Sequence, residues 1–391
     1  MSPWPLVAIG EIAEVAAGGG APQQADAFSE IGTPFIRAGS LTALISGPSE
    51  SALERIESDT ARNYRLRTFP TDTVVFAKSG MSATKGYIHR LRGPAHVVNH
   101  LCALIAGPRL DPSFLQFALK EFSPTTLVQD AAYPSIRLSD VGDFQIPLPP
   151  LPEQRRIAGI LDQAEALRTQ RRAALAKLDT LAQSVFIEMF GDPVLNPMGW
   201  PSAKLGNLIL SASDGPHVSP NYVDAGVPFL STRHVRPGEV TWEDLKYISQ
   251  VDAETQWRKC RPRRGDILYT KGGTTGLAAT VLTDDPFAVW VHVALLKPDY
   301  KVVDSLWLES ALNTTACYRQ SQEFTHGIAN RDLGLKRMIN IKMFRPPLEA
   351  QRDFSRRRQA LEKQRTSLRR SLTSFDALFK SLQHRAFRGE L

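Results

Sequence analysis

Residues 146–163 read IPLPPLPEQRRIAGILDQ, in which four prolines within six residues lead directly into a long helix-forming stretch. Proline inside a helix costs roughly 3 kcal/mol, because it removes a backbone N–H and its ring clashes with the preceding turn. The prolines are therefore predicted to end one folded unit, and the helix is predicted to begin at Glu153. Residues 344–364, FRPPLEAQRDFSRRRQALEKQ, repeat this order of prolines and helix near the other end of the chain.

The two proline segments belong to an internal repeat that covers the chain. Trp4-Pro5 recurs as Trp200-Pro201, and the longer matching segments are 32–41 with 226–235, 71–80 with 264–273, 133–155 with 327–352, and 181–192 with 378–389. The offsets lie between 192 and 197 residues and keep one order, which predicts a tandem duplication. We expect globular units at residues 1–150 and 193–347, and helical segments at residues 151–192 and 348–391.

Each globular unit combines strand and helix patterns. Short apolar runs such as TVVFA, HVVNHLCALIAG, DILYT and FAVWVHVALL are bounded by Gly, Pro and Asp, as strands commonly are. Residues 111–122 and 303–313 have helical periodicity, and Asp111-Pro112-Ser113 is typical of a helix start. The predicted fold class is therefore α+β, with two tandem α/β domains of about 145 residues each.

The two helical segments carry a heptad pattern. The predicted seam consists of Ile157, Ala164, Leu167, Leu178, Leu181, Val185, Phe354, Leu361, Leu368, Phe375, Leu378 and Leu382. A repeat of this length favours pairing of the two helices as an antiparallel coiled coil, with the globular units at opposite ends and related by a pseudo-twofold axis. Each helix of roughly 37 residues would be about 55 Å long and span about 16 base pairs of DNA. The alternative, an amphipathic helix lying on its own domain, stays open.

The composition is that of a globular protein with a basic C-terminal region. Hydrophobic residues make up 42% of the 391 residues, no run approaches 18 apolar residues, and no signal-like segment is found at the N-terminus. Cys102, Cys260 and Cys317 lack CxxC spacing, as is usual in a reducing cytosol, so we expect a cytoplasmic protein without membrane attachment. The net charge is +7, yet residues 342–391 alone carry 13 Lys or Arg against 5 Asp or Glu. This basic excess favours a polyanionic partner.

Together these features resemble the specificity subunits of type I restriction–modification systems, in which two target-recognition domains alternate with two long helical spacers. The resemblance covers essentially the whole chain and is carried best by residues 146–162, with RPPLEAQRDF as the weaker second copy. The GxPFIR-like segments, the GDILYTKGG-like hairpin and the C-terminal LFKSLQHRAFRGEL support it. The second copy departs from the first, because Glu349-Ala350 replaces Pro152-Glu153 and three arginines at 356–358 replace an apolar turn. We therefore expect the two helix starts to pack differently.

The resemblance implies a non-catalytic subunit whose two DNA target-recognition domains, residues 1–150 and 193–347, bind a bipartite double-stranded DNA sequence with a fixed spacer. It implies docking of two modification subunits, which methylate adenine N6 using S-adenosylmethionine, and of an ATP-dependent restriction and translocase subunit. The chain itself is predicted to hold no cofactor, since it has no phosphate-binding loop, no GxGxxG after a strand and no amino-methyltransferase motif.

Loops rich in basic residues, hydroxyl side chains and glycine follow apolar strands at equivalent places in both repeats. Such residues bind base edges through forked donors, and they bind phosphates through charges, hydroxyls and backbone amides. The predicted DNA-binding residues are Arg37, Ser40, Lys78, Ser79, Ser82, Thr84, Lys85, Tyr133, Ser135, Arg137, Thr232, Arg233, His234, Lys271, Thr274, Thr275, Asn330, Arg331 and Lys336. The two sets differ in sequence, as expected if the two halves read different bases.

Two other functional classes stay open from the sequence. The first is a self-contained nuclease or methyltransferase that has its own DNA-reading domains. A nuclease could use Asp244-Leu245-Lys246 or Asp299-Tyr300-Lys301, but neither tripeptide has a convincing acidic partner upstream. The second class is a scaffold that binds protein partners without binding DNA.

Two smaller features have more than one interpretation. His96, His100 and Cys102 form a weak metal-ligand pattern, although no metal is predicted and His100 matches His292 in the second repeat. The second helix carries arginines that either form a solvated face, follow the spacer phosphates or face an acidic partner subunit. These are Arg356, Arg357, Arg365, Arg369 and Arg370.

Overall fold

The computed structural model describes residues 3–46, 50–217, 219–327 and 330–391, so Ile328 and Ala329 of the repeat segment 327–352 lie outside the described residues. The chain divides into two compact units. The first unit extends from the N-terminus to Ala174 and includes Leu368–Leu391, and the second consists of Leu175–Ser367. None of the described helices is both long and apolar enough to cross a membrane.

The first unit is built from short strands and helices around the start of one long helix. Its strands are β1 (Leu6–Ala8), β2 (Ala13–Ala17), β3 (Thr33–Ile36), β4 (Arg55–Ile56), β5 (Thr68–Phe69), β6 (Val74–Ala77), β7 (Ile88–Arg90), β8 (Ala95–Val97), β9 (Leu101–Ala106) and β10 (Gln145–Pro147). Its helices are α1 (Ile9–Ile12), α2 (Ser40–Ser46), α3 (Ser58–Asn63), α4 (Pro112–Glu121), α5 (Leu138–Asp143) and the first part of α6 (Leu151–Phe190).

Two four-stranded sheets form the centre of the first unit. One has the order β2-β9-β6-β7 and is antiparallel, and the other has the order β4-β3-β8-β5 with a parallel β3–β8 pair. Successive side chains of a strand point to opposite faces of its sheet. Phe76 and Cys102 accordingly belong to the core under the helices, while Val75 and Ala103 belong to the core with the second sheet. Strands β6 and β9 are therefore buried on both faces.

The second unit repeats this architecture. Its strands are β11 (Ser202–Lys204), β12 (Ile209–Asp214), β13 (Tyr222–Val223), β14 (Val227–Leu230), β15 (Val235–Arg236), β16 (Glu239–Val240), β17 (Lys246–Ile248), β18 (Ile267–Thr270), β19 (Ala278–Thr280), β20 (Ala288–Val289), β21 (Val293–Pro298) and β22 (Lys342–Phe344). Its helices are α7 (Gln250–Trp257), α8 (Ser305–Leu312), α9 (Thr315–Phe324), α10 (Leu335–Met338) and the first part of α11 (Leu348–Ala386).

The sheets of the second unit follow the topology of the first. The antiparallel sheet has the order β12-β21-β18-β19, and the mixed sheet has the order β13-β17-β14-β20 with a parallel β14–β20 pair. The short pairs β1–β10 and β11–β22 also correspond. The units differ at the edges, because β5 adds to the mixed sheet in the first unit, whereas β13 and a separate β15–β16 hairpin occur in the second. The mixed α and β fold class is as predicted.

Two of the predicted strands are each divided in the structure. HVVNHLCALIAG forms β8 and β9, and FAVWVHVALL forms β20 and β21. In each case the chain passes from the mixed sheet to the antiparallel sheet through a turn that contains His100 or His292. Hydrophobic periodicity does not mark this turn, because the strands on both sides of it are buried.

The long helix α6 begins at Leu151, two residues before the predicted Glu153. Pro152 therefore lies in the first turn, where its missing N–H removes no helical hydrogen bond. The turn that follows differs between the two helices, as expected. Leu161 is fully buried in the apolar core of the first unit, and at the equivalent position Arg358 pairs with the buried Glu309 in the second.

Within the first unit, α6 and α11 run antiparallel. Arg156 Nη2 donates to the carbonyl of Leu391 at 3.0 Å, and Arg168 Nε donates to Asp376 Oδ1 at 2.6 Å. The Arg168 guanidinium also lies 4.3 Å from the centre of the Phe379 ring. The contact between the two helices is therefore charged as well as apolar.

Only some residues of the predicted heptad seam are buried or half-buried. Ile157 and Phe354 are fully buried, and the half-buried seam residues are Ala164, Leu178, Val185, Leu361, Leu368, Phe375 and Leu382. Leu167, Leu181 and Leu378 are 46%, 42% and 51% exposed. A helix with 3.6 residues per turn drifts out of a strict heptad register, so Leu161 and Phe186 are buried instead.

Candidate nucleic-acid interface

The predicted DNA-binding loops of the first unit meet along one edge of its sheets. The N–H of Val98 donates to the carbonyl of Ile36 at 3.0 Å, which places the loop after β3 beside the turn between β8 and β9. The N–H of Lys78 donates to His100 O at 2.9 Å, and the N–H of Ile136 donates to Lys78 O at 2.7 Å. These bonds join residues 37–40, 78–85, 98–100 and 133–137, which we call the first loop row.

The second unit joins its equivalent loops in the same way. The N–H of Trp290 donates to Leu230 O at 2.8 Å, and the N–H of Lys271 donates to His292 O at 2.8 Å. The N–H of Leu333 then donates to Lys271 O at 2.7 Å. Residues 231–234, 271–275, 290–292 and 330–336 therefore form a second loop row on an equivalent backbone.

In each row, the turn that follows β3 or β14 is closed by a hydrogen bond from a backbone N–H to the side chain three residues further along the chain. In the first row, the N–H of Arg37 donates to Ser40 Oγ at 3.3 Å. In the second row, the N–H of Ser231 donates to His234 Nδ1 at 2.9 Å. Burial and the neighbouring Arg233 lower the pKa of His234, which favours the neutral ring, and the bond from the Ser231 N–H identifies Nδ1 as the acceptor. Two different side chains thus stabilise one backbone shape.

The predicted residues fall into three groups by exposure. The exposed residues are Thr84, Lys85, Tyr133, Ser135, Arg137, Arg233, Thr274, Asn330, Arg331 and Lys336. The half-buried residues are Arg37, Ser40, Lys78, Ser79, Ser82 and Thr232. His234, Lys271 and Thr275 are buried. The first two groups present basic, hydroxyl, amide and aromatic groups to solvent along both rows.

Several first-row side chains are held in place by neighbouring groups of the protein. The Arg37 guanidinium lies 4.7 Å from the centre of the Phe28 ring and donates through Nε to Glu54 Oε2 at 3.1 Å. Ser79 Oγ lies 2.7 Å from His100 Nδ1. No acidic side chain among the described residues pairs with Lys78. Lys78 therefore presents a positive charge at the middle of the row.

The buried residues of the second row are tied to protein groups. Lys271 Nζ lies 3.4 Å from Asp214 Oδ2 and donates to Asp332 Oδ1 at 3.2 Å. Burial opposes ionisation of Asp214, but the hydrogen bond from Lys259 and the charge of Lys271 outweigh it, so the pKa of Asp214 lies below its usual range. Thr275 Oγ1 lies 3.0 Å from the hydroxyl of Thr325. These contacts fix the loop that carries the exposed Thr274.

The turn between the two sheets of each unit was not among the segments predicted to bind DNA. Asn99 and His100 are exposed in the first loop row, and His292 is exposed in the second. The match between His100 and His292 in the repeat could have pointed to this turn, but it was interpreted as a packing role and not as a position on the surface. Both histidine carbonyls accept from a loop lysine, which explains why the position recurs.

The residues of the alternative sites have structural roles in the folded chain. Among the described residues, no group of three His, Cys, Asp or Glu is placed to hold a metal ion. His96 is buried, and its Nδ1 lies 3.0 Å from the carbonyl of Arg67. The carbonyl of Asp244 accepts from Arg233 at 2.6 Å, and the carboxylate of Asp299 accepts from the N–H of Lys301 at 3.1 Å.

The arginines of α11 are in different environments. Arg356 and Arg357 form exposed ion pairs with Asp353, at 3.2 and 3.0 Å. Arg365 is largely buried and pairs with Glu239 at 3.2 Å. Arg370 is exposed, and Arg369 is engaged by other groups of the protein. The basic face of α11 is therefore partly neutralised by the chain itself.

Residues 1–177 match the family model described as the type I restriction modification DNA specificity domain. The chain is 27% identical over 283 residues to the type I restriction enzyme EcoBI specificity subunit of Escherichia coli, a match that covers 64% of this chain and 59% of that protein. It is 23% identical over 347 residues to the putative type I restriction enzyme MjaX specificity subunit of Methanocaldococcus jannaschii, covering 79% of this chain and 75% of that protein.

Solved structures share the fold along almost the whole chain. The crystal structure of a type I restriction–modification S subunit from M. genitalium superposes with a TM-score of 0.62 at 14% identity, covering 99% of this chain and 96% of that chain. A structure from work on complex assembly and conformational transition of a type I system gives 0.54 at 18% identity, covering 99% and 98%. The predicted resemblance is thus confirmed, since the chain is similar in sequence and in fold to specificity subunits of type I restriction–modification systems.

Proposed function

We propose that this chain is the specificity subunit of a type I restriction–modification complex and reads a bipartite double-stranded DNA target. Residues 1–150 bind one half of the target and residues 193–347 bind the other. The helical segments at 151–192 and 348–391 fix the number of base pairs between them. The subunit acts in the cytoplasm, where it docks two adenine methyltransferase subunits and an ATP-dependent restriction and translocase subunit.

The observation that carries this proposal is the pair of loop rows. Each row has the same backbone hydrogen bonds, yet the exposed side chains differ, with Tyr133 and Arg137 in one and Arg331 and Lys336 in the other. Direct readout of bases requires different donors and acceptors for different sequences, on a surface that approaches DNA in a constant way. Two surfaces that share a backbone arrangement and differ in their exposed side chains are suited to binding two different half-sites.

The chemistry of the rows fits DNA better than another polyanion. Tyr133 is 83% exposed, and an exposed aromatic ring beside basic residues suits contacts with base edges and sugars. Exposed hydroxyl groups such as Ser135, Thr84 and Thr274 suit phosphate oxygens. Basic side chains lie in both rows, and they supply the charge that attracts the phosphate backbone.

Mapping of methylated adenines tests the proposal directly. We expect cells that carry this gene and its partner subunits to methylate a sequence of two short halves with a fixed gap, and deletion of the gene should remove that methylation. The purified chain with magnesium or S-adenosylmethionine should neither cleave nor methylate DNA by itself. Cleavage or methylation by the purified chain would favour the self-contained enzyme. Partner binding without salt-dependent DNA retention would favour the scaffold.

A further inference from the structure

A buried glutamine fastens the start of α6 to the first unit. Gln154 lies in the first turn of the helix and has no solvent exposure. Its Nε2 donates to the carbonyls of Pro149 at 2.9 Å and Arg109 at 3.0 Å, and its Oε1 accepts from the N–H of Asp111 at 2.8 Å. One side chain therefore joins the proline segment, the helix and the loop before α4.

The second unit contains the same joint at the start of α11. Gln351 is also fully buried. Its Nε2 donates to the carbonyls of Pro346 at 2.8 Å and Val302 at 3.2 Å, and its Oε1 accepts from the N–H of Asp304 at 2.9 Å. The two joints agree in every partner position, although the residues around them differ.

Each joint is connected to a loop row through one short helix. Asp111 caps α4 by accepting from two of its first backbone N–H groups, and Asp304 caps α8 in the same way. Helix α4 packs on β6, whose chain continues to Lys78. Helix α8 packs on β19, the partner of β18, whose chain continues to Lys271. The glutamines therefore lie between each long helix and the sheet that presents the loop row.

The hydrogen bonds of each joint specify one geometry. Buried polar groups are nearly always paired, and a buried group that loses its partner destabilises the protein. A tilt of the helix against its unit would stretch all three bonds of the glutamine together and leave two carbonyls and one N–H without partners. An apolar contact at this place would tolerate such a tilt, because apolar packing has no directional requirement.

The geometry points to Gln154 and Gln351 as positioning residues that set the length of the gap between the two half-sites. The inference rests on the proposed function. A rotation of a unit about its joint moves its loop row along the direction of the long helix, because the row lies away from that helix. A movement of about 3.4 Å, the rise of one base pair, is enough to reach the neighbouring gap length. A loosened joint therefore admits neighbouring gap lengths.

Selection from random double-stranded DNA by the full-length chain tests the inference. The wild-type protein should recover one gap length between its two half-sites. Gln154→Met and Gln351→Met should each recover at least two neighbouring gap lengths, with the preference for the native gap over one base pair more or fewer reduced at least fivefold. The sequences of both half-sites should stay the same, since the loop rows are unchanged.

Matched variants separate positioning from general destabilisation. Gln163→Met and Gln364→Met make the same change at exposed positions of α6 and α11 and should keep the native gap preference. Circular dichroism verifies that each variant is folded. If Gln154→Met does not fold, Gln154→Asn keeps the amide but shortens the side chain by one carbon, so that it no longer reaches all three backbone partners.

The possible outcomes are distinct. A single native gap recovered by the joint variants, even with lower yield, would show that the glutamines only stabilise the fold and would overturn the inference. Loss of a half-site sequence with the gap retained would also overturn it. If the wild-type chain selects no bipartite sequence, the proposed function fails and the inference fails with it.

Discussion

The two loop rows share one backbone but hold their equivalent lysines differently. In the second unit Lys271 is buried and paired with Asp214 and Asp332. In the first unit Ala17 and Ser135 occupy the positions of these aspartates in the repeat, and Lys78 is half-buried. The same lysine therefore stabilises the protein in one unit, while in the other its charge is available to an anion.

The starts of the two long helices show a second difference of this kind. Leu161 packs in an apolar core, whereas Arg358 donates to Glu309, to Ser310 Oγ at 2.9 Å and to the carbonyl of Leu306 at 3.0 Å. The two units therefore share one backbone at this position, while the interactions that hold it are apolar in the first unit and polar in the second. A comparison of the two units shows which residues are required by the fold and which are particular to one half.

The largest effect is expected at the buried ion pair of the second unit. Glu309→Ala leaves Arg358 without its carboxylate and the N–H of Thr280 without its acceptor at 2.7 Å. We expect the free energy of unfolding to fall by about 3 kcal/mol, as is typical when one partner of a buried pair is removed. Urea denaturation measures the change.

Two further variants sharpen this comparison. Glu362→Ala removes an exposed carboxylate of the same region and should cost less than about 0.5 kcal/mol. The double change Glu309→Gln with Arg358→Leu installs the residues of the first unit, Gln116 and Leu161, and should stay within about 1 kcal/mol of the wild type. A loss of stability as large as that of Glu309→Ala would show that the second unit is not stable with the side chains that the first unit has at these positions.

The next effect is expected from Lys271→Met, which removes the buried ammonium between Asp214 and Asp332. We expect a loss of about 2 kcal/mol in the free energy of unfolding, because Asp214 loses the buried ammonium and keeps the exposed Lys259 at 2.7 Å and the exposed His217 at 3.8 Å. The equivalent change Lys78→Met should stay within about 0.5 kcal/mol. Equal losses in the two variants would contradict the difference between the units.

Lys78→Met should instead affect DNA binding. If Lys78 contacts one phosphate, its removal should lower the slope of log K against log salt concentration by about 0.9 for duplex DNA. Fluorescence anisotropy over a range of salt concentrations measures the slope. Lys271→Met, once verified to be folded, should leave the slope unchanged, and an unchanged slope in Lys78→Met would exclude the phosphate contact.

The smallest effect is expected in the pH dependence of stability. The pKa of Asp214 is lowered in the folded protein, so the carboxylate contributes stability above its unfolded-state pKa of about 3.9. This contribution is lost as the pH falls through the lower folded-state pKa. Asp214→Asn should therefore flatten the decrease in unfolding free energy below about pH 4, measured by urea denaturation. The exposed Asp224→Asn serves as control and should leave the decrease as steep as in the wild type.

Much of the architecture follows from the sequence, because duplication gives each motif a second occurrence. The proline segments predicted the positions of both long helices. The loops with Lys78, Ser79 and Ser135 were predicted to form one surface, and their backbones are hydrogen-bonded to one another in the structure. Burial of Lys271 could not be predicted, since its partners Asp214 and Asp332 lie far from it in sequence. The heptad pattern overestimated Leu167, because the polar residue Arg168 takes an inward position through its ion pair with Asp376.

The distribution of the first unit along the chain has a consequence for synthesis. Its apolar core includes Phe379, Ala386 and Phe387 of the last segment, whereas the second unit is continuous in sequence. At roughly 5–20 residues per second, the ribosome delivers these side chains about 10 to 40 s after Ala174. The second unit can therefore finish folding first, and the first unit remains with part of its apolar core exposed until the last segment is synthesised. During that interval the nascent chain depends on chaperones or on its own solubility.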